Sequence, residues 1–440
     1  MRIPVFTIFC LLASAVFIHA GENWPGWRGP DGNGHSDEKS LPLTWGGMQN
    51  DNVLWKVPLF PSGKVKRDQN QSSPIVWRDR VFVTVSYWPE GTSEKDFPEH
   101  HLTCFSTKDG ARVWDTVIPP GPWKLTDLRG GYTAPTPATD GERVYAVFGS
   151  AVIAAVDFTG KIAWRKEIKP HNFDVAWGAS PILHFTQQNA VQEGPGVKRE
   201  VSVIVVCDHI KGNKSSTIFA FDGKTGDVRW ERKRPTTDWA HSTPLLAVVN
   251  RKLQLITATH SGPQGLDPDT GEVLWYFNEG KQIGDTVTPT CRDGIVYVDS
   301  GRGSMGVAVD ATGKGDVSKT ALKWKIPNVG AGFSSPILVG DYIYRLHGSD
   351  TLSCWRWQTG EEMFKERLEG ADSAVSPSAA ADGRIYFASA NKSFVIRAGA
   401  KLEVLATNTL GDGSRASPAV AGGRIYLKGG QYLWCVGRKE

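Results

Sequence analysis

Three histidines and an aspartate have the side-chain chemistry of a zinc site. His209, His241 and His260 follow one another in the middle of the chain, and Asp208 precedes the first of them. Imidazole nitrogens and carboxylate oxygens are common ligands of Zn²⁺. These residues fall in three separate segments, however, and no close ligand spacing joins them as it does in zinc-binding motifs. The sequence therefore predicts no metal site, and the histidines remain candidates for binding another kind of ligand.

Arginines and aromatic residues form a second group with recognisable chemistry. An arginine donates several hydrogen bonds at once, which suits an anionic or carbohydrate ligand. Aromatic rings offer flat apolar faces beside such donors. Together with the histidines, these residues predict a ligand-binding face that comprises Arg129, Tyr132, Asp174, Trp177, His209, Trp239, His241, His260, Arg302, Phe333, His347 and Arg415.

Carboxylates arranged for catalysis are not evident in the sequence. Glycoside hydrolysis uses two carboxyl groups that lie about 5–10 Å apart. No pair of facing carboxylates can be defined, because Asp174, Asp285 and Asp372 are scattered along the chain. We therefore assign no catalytic residue, although a propeller that binds or processes carbohydrate stays open as an alternative.

Overall charge and composition exclude some classes of partner. The 440 residues include 50 basic and 46 acidic side chains, giving a net charge of +4, and no long basic run occurs. This near balance argues against nucleic acid as a partner. The chain contains 48 glycines and 17 tryptophans. Glycine-rich turns between aromatic and β-branched runs are typical of an all-β protein.

The N-terminal residues have the features of a secretory signal peptide. Arg2 provides the positive charge, residues 5–18 are mostly apolar, and Ala20 ends a small-residue cleavage site. We expect cleavage after Ala20 and export to the periplasm, cell envelope or exterior. No later apolar run is long enough to span a membrane. Five cysteines follow the signal without the spacing of a disulfide framework, so we expect small core residues.

A repeated phrase must position the candidate residues. It starts with Ser or Thr before proline, continues through two β-rich runs, and ends with Asp, Thr-Gly and Trp; residues 220–230 read AFDGKTGDVRW. Most of its spacings match a four-stranded propeller blade of about 40–50 residues. The phrase starts eight times, at the prolines Pro74, Pro137, Pro181, Pro244, Pro289, Pro336, Pro377 and Pro418.

Each part of the phrase has a physical role in a blade. Proline lacks an N–H and suits the start of a strand, whereas glycine provides the positive φ of the closing turn. The tryptophan of the fourth strand is expected to cover the neighbouring blade. It occurs at Trp114, Trp164, Trp230, Trp275 and Trp324, and is replaced by Phe364 and Leu405 in blades six and seven.

The last blade has no room for its own fourth strand, and residues 53–57 supply one that carries Trp55. The sequence thus predicts an all-β, eight-bladed β-propeller that an N-terminal strand closes by completing the last blade. The domains are residues 1–20 as signal peptide, 21–52 as an extension packing on the propeller, and 53–440 as the propeller. Loops before the first strands and between the second and third strands share one face, where we expect a pocket over blades three, four and eight.

The pattern Ala-x-Asp-x-x-Thr-Gly-x-x-x-Trp resembles the tryptophan-docking repeat of pyrroloquinoline-quinone (PQQ)-like propellers, also called quinoprotein alcohol dehydrogenase-like. Residues 23–30, NWPGWRGP, resemble the start of an exported bacterial subfamily of these repeat proteins. The fold is similar to that of the BamB propellers. This resemblance implies an exported, monomeric, non-catalytic binding or interaction scaffold without a cofactor, whose partner is a protein, a small molecule or a carbohydrate.

The same resemblance implies one enzymatic alternative, a periplasmic PQQ-dependent dehydrogenase of alcohols or sugars. Large members of that family stack the quinone between a tryptophan and a disulfide of adjacent cysteines, and they hold calcium with Glu, Asn and Asp. No two cysteines are adjacent in this chain. PQQ and calcium are therefore expected only under this alternative.

Overall fold

The computed structural model describes residues 21, 23–169, 175–186, 200–209, 215–234, 240–348, 350–372 and 374–439, without the side chains of residues 208, 209 and 215. The expected signal peptide, Asp174 and Trp239 lie outside these ranges. Every named element within them is a β-strand. None of the described residues forms a helix with the length and apolar character needed to cross a membrane.

Eight antiparallel sheets, numbered here as blades 1 to 8, confirm the predicted propeller. Seven blades contain four strands that follow one another along the chain. Blade 1 consists of Ile75–Trp77, Arg80–Trp88, Glu99–Ser106 and Arg112–Ile118, and blade 2 consists of Ala138–Thr139, Arg143–Phe148, Val152–Asp157 and Ile162–Glu167. Blade 3 consists of Ile182–Phe185, Val201–His209, Ser215–Asp222 and Val228–Arg234, and blade 4 consists of Leu245–Val249, Lys252–Thr259, Gly262–Leu266 and Val273–Tyr276. Blade 5 consists of Thr290–Arg292, Ile295–Asp299, Gly306–Asp310 and Leu322–Ile326. Blade 6 consists of Ile337–Val339, Tyr342–His347, Thr351–Arg356 and Glu362–Arg367, and blade 7 consists of Ser378–Ala380, Arg384–Phe387, Lys392–Arg397 and Glu403–Thr409.

Blade 8 combines the last three strands of the chain with a strand that precedes blade 1. Its strands Ala419–Ala421, Arg424–Lys428 and Tyr432–Gly437 are completed by Val53–Pro58, which pairs antiparallel with the third of them. Trp55 lies opposite Cys435 in this register. The pairing leaves the ring without the open edge that an unpaired strand would expose to other chains.

Short strands attach the N-terminal extension and two loops to the blades. The extension forms strand pairs with blade 1 and blade 7. The additional pairs are Asn23–Trp24 with Ile75–Trp77, His35–Ser36 with Ser378–Ala380, Lys66–Arg67 with Arg80–Trp88, and Gly315–Asp316 with Val273–Tyr276.

Tryptophans of the fourth strands dock onto the following blade. The Trp230 indole N–H donates to the carbonyl of Pro268, 3.2 Å away in the closing turn of blade 4. Its ring lies so close to Gly271 that a Cβ there would come within 2.6 Å of it. Gly271 has a φ of 72°, which glycine adopts without strain. Trp275 differs, since its N–H donates to Gln254 of its own blade at 2.8 Å.

Hydroxyl groups of the residues before the eight prolines link the blades around the channel. The backbone N–H of one such residue donates to the side-chain hydroxyl of its counterpart in the next blade, over 2.8–3.0 Å. The bonds run from Ser73 to Thr136, Thr136 to Ser180, Ser180 to Thr243, Thr288 to Ser335, Ser335 to Ser376, Ser376 to Ser417, and Ser417 to Ser73. The repeated Ser or Thr before proline thus has a structural role, because it connects neighbouring blades.

Four of the five described cysteines are core residues, as the sequence predicts, whereas Cys291 is only half-buried. All five described cysteines are free, and Cys104, Cys207, Cys354 and Cys435 are buried. Burial raises the pKa of the Cys435 thiol to about 12, so it stays protonated. These side chains act as small hydrophobes.

Candidate functional site

A cavity of about 440 Å³ opens at the channel mouth, beside the loops that lead into the first strands. Every blade contributes to its wall, which places the cavity on the propeller axis. The contributors from blades 1 to 8 include Gln71, Arg129, Val175, His241, Thr286, Phe333, Ala374 and Arg415. The expected pocket over blades three, four and eight alone is therefore corrected to one that all eight blades share.

Five residues of the predicted face line this cavity. Arg129, His241, Phe333 and Arg415 belong to loops that precede first strands, and Arg302 belongs to the loop after the second strand of blade 5. Both kinds of loop therefore reach the same end of the channel. The convergence follows from the propeller geometry, because first strands line the axis.

Four other residues of the predicted face lie elsewhere. Tyr132, Trp177 and His347 are only 1%, 3% and 4% exposed, so they belong to the core. The Tyr132 hydroxyl accepts the backbone N–H of Leu125 at 3.1 Å. His260 is half-buried and is not part of the cavity wall; its carbonyl oxygen accepts the N–H of Ile283.

The remaining three predicted residues cannot be placed in the cavity. Asp174 and Trp239 lie outside the described residues, as does the side chain of His209 at the end of Val201–His209. The described part of the chain contains no group of three or more His, Cys, Asp or Glu residues able to hold a metal ion.

Charge at the cavity is predominantly positive. None of the described lining residues is acidic. Arg129 is paired with Asp127, since its Nε donates to the carboxylate at 2.8 and 2.9 Å. Arg302 Nε lies 3.5 Å from the fully buried carboxylate of Asp285. Arg415 is exposed and forms no ion pair within the described ranges, so its charge is available to a ligand.

His241 is a neutral group in this positive surrounding. Burial, together with the nearby positive charge of Arg302, lowers its pKa to about 4. Its backbone N–H donates to the Asp285 carbonyl at 2.6 Å. At neutral pH the imidazole therefore adds hydrogen-bonding capacity without charge.

Trp27 is a cavity residue that reasoning from the repeat missed. It comes from the N-terminal extension and lines both this cavity and a second one of about 170 Å³. Its indole N–H donates to the Thr288 hydroxyl at 2.8 Å. The neighbouring Arg28 has a φ of 60° and donates to the Pro336 carbonyl at 2.6 Å. The only signal in the sequence is the NWPGWRGP phrase, which lies outside the repeat.

Comparison with known proteins places these features in context. The family model described as outer membrane protein assembly factor BamB matches residues 98–366. No curated protein matches the chain. BamB from Moraxella catarrhalis is 14% identical, with a TM-score of 0.53 over 86% of this chain and 98% of that one. Quinohemoprotein alcohol dehydrogenase from Comamonas testosteroni is 12% identical, with a TM-score of 0.62 over 95% of this chain and 81% of that one. At these identities the two structures show a shared fold alone.

Proposed function

This chain belongs to the family described as outer membrane protein assembly factor BamB, and on that premise we propose that it is an exported, non-catalytic binding scaffold of the cell envelope. The observation that carries the proposal is the convergence of Arg129, His241, Arg302, Phe333 and Arg415 on one cavity. These side chains come from five different blades. The signal-peptide features of residues 1–20 support export.

The size and surface of the cavity support binding. Its volume of about 440 Å³ falls within the range of about 300–1,000 Å³ that is typical of ligand pockets. Phe333 is 53% exposed at its wall, so its ring can offer apolar surface to a ligand. The interlocked blades hold these groups in place, which lowers the entropic cost of binding.

The side chains of the cavity favour binding over catalysis. General acid–base chemistry requires a group whose pKa lies near the working pH. The described lining residues include no carboxylate, and the pKa of His241 is lowered to about 4. Asp285 is fully buried and already accepts hydrogen bonds from Gly301 N–H and Gln282.

A PQQ-dependent dehydrogenase is the second candidate, which the likeness in fold to the Comamonas enzyme favours. The residues present do not fit that cofactor. The five described cysteines are free and lie on five different blades, so they offer no disulfide for stacking. The described lining residues offer no carboxylate for calcium. Dye-linked oxidation of alcohols or sugars after addition of PQQ and calcium would contradict the scaffold proposal.

Affinity capture tests the proposal directly. The immobilised full chain is incubated with envelope extract, and the retained protein and carbohydrate are measured for the wild type and for the variant Phe333→Ala/Arg415→Ala. Arg302 is kept because it pairs with the buried carboxylate of Asp285. We expect the variant to lose retention while its melting temperature changes little, because substitutions of exposed side chains change stability little.

A matched control removes one arginine and one exposed apolar side chain away from the cavity. Val404 and Arg438 are exposed and do not line it. The variant Val404→Ala/Arg438→Ala should retain its ligand like the wild type. Equal loss in both variants, or full retention by the cavity variant, would contradict the proposed site.

A further inference from the structure

We infer that the channel-mouth cavity binds an anionic sugar, a hexuronate unit of an acidic oligosaccharide or polysaccharide. This inference rests on the proposed binding function and specifies its ligand. The cavity presents neutral hydrogen-bond donors, positive charge and apolar surface at different places, and the inference follows from this arrangement.

The floor of the cavity is rich in neutral hydrogen-bond donors. Ser180, Thr243 and Thr288 line it. Their hydroxyl oxygens accept hydrogen bonds from Thr136 N–H, Ser180 N–H and the Trp27 indole, respectively. Each hydroxyl group can also donate one hydrogen bond, and within the described residues none of the three donates to an acceptor, so each can donate to a ligand. Such a floor suits neutral acceptor oxygens, such as the ring and hydroxyl oxygens of a sugar.

The positive charge lies at the rim. Arg129 and Arg302 are partly neutralised by Asp127 and Asp285, whereas Arg415 has no ion-pair partner within the described ranges. A guanidinium binds a carboxylate through two parallel hydrogen bonds. The ligand that complements this arrangement has neutral oxygens at one end and a carboxylate at the other.

Two aromatic side chains provide the apolar surface that a sugar ring would contact. Trp27 and Phe333 line the same cavity as the hydroxyl groups and the arginines. Their rings offer apolar surface to the C–H groups of a sugar ring. An inorganic anion would use the arginines alone, and a neutral sugar would leave Arg415 without a partner. A uronate uses the hydroxyl groups, the aromatic surface and the arginines together.

Calorimetric titration of the full chain with tri-galacturonate tests the inference. The methyl ester of the same trisaccharide keeps the sugar rings and removes the charge, and inorganic phosphate keeps a charge without the rings. We expect binding of tri-galacturonate and at least about tenfold weaker binding of the other two, since hydrogen bonds to a charged group are stronger than hydrogen bonds to a neutral one. Binding of the acid should weaken as salt rises, because the rim is exposed.

Variants connect the binding to the cavity. Arg415→Ala should weaken tri-galacturonate at least about tenfold and leave the methyl ester unchanged, whereas Phe333→Ala should weaken both. Arg397→Ala, distant from the cavity, should change neither. Equal affinity for acid and ester would overturn the inference. If tri-galacturonate does not bind while capture from extract still depends on the cavity residues, the inference fails and the proposed function stands; if capture fails as well, both fail.

Discussion

Replacing Trp230 with alanine should open the joint between blades 3 and 4. The indole is 7% exposed, and its N–H donates to the Pro268 carbonyl at 3.2 Å. Truncation of a large buried aromatic side chain costs about 3–5 kcal/mol, of which the hydrogen bond contributes about 1 kcal/mol. Trp230→Phe, which keeps most of the ring surface, should cost about 1–2 kcal/mol, because it leaves the carbonyl without its donor.

Urea unfolding followed by circular dichroism measures this effect. Val228 lies on the same strand and is 53% exposed, so Val228→Ala should change the free energy of unfolding by less than about 0.5 kcal/mol. The slope of the transition should stay constant across the variants, since the surface exposed on unfolding is nearly the same. A midpoint for Trp230→Ala that equals that of Val228→Ala would refute the docking role.

Three further predictions follow from the blades and the core. Gly271→Ala should lower the free energy of unfolding in urea by about 1–3 kcal/mol, because the new Cβ meets the Trp230 ring at 2.6 Å on a backbone with positive φ. Burial lowers the pKa of Lys428 from 10.5 to about 7, so between these values the unfolded chain holds more protons and stability rises with pH. Melting curves of Lys428→Met should lack that rise. A thiol reagent should label the buried Cys104, Cys207, Cys354 and Cys435 much more slowly in the native protein than in the unfolded chain. Labelling of any of these four residues before unfolding would contradict their packing in the core.

Much of the fold was predictable because the blade phrase repeats. Each of the eight prolines marks the start of a strand, and each Thr-Gly turn before a tryptophan marks the contact between two blades. These local patterns all predict the same fold. The hydroxyl bonds between blades were not predictable, since Ser73 and Ser417 meet only when the ring closes. The position of Trp27 was not predictable either, because the extension has no repeat that would give its register.

The candidate site was predictable only in part. Arg129 and Tyr132 are three positions apart in one loop, yet the first lines the cavity and the second packs against Trp88 and Phe97. An irregular loop has no periodicity from which the direction of each side chain can be derived. Loop position therefore identified the end of the channel at which the cavity opens, whereas the burial of each side chain within a loop could be seen only in the structure.

A photo-crosslinking measurement tests the central claim, that the channel mouth is the binding site, most directly. A photoreactive phenylalanine replaces Phe333 at the cavity in one variant and Val248, near the far end of the first strand of blade 4, in another. The two side chains are 53% and 64% exposed, so they are similarly accessible. After irradiation in envelope extract, the account predicts a crosslinked ligand at position 333 that excess unlabelled wild-type protein removes, and none at position 248. Equal crosslinking at both positions, or crosslinking at 248 alone, would contradict it.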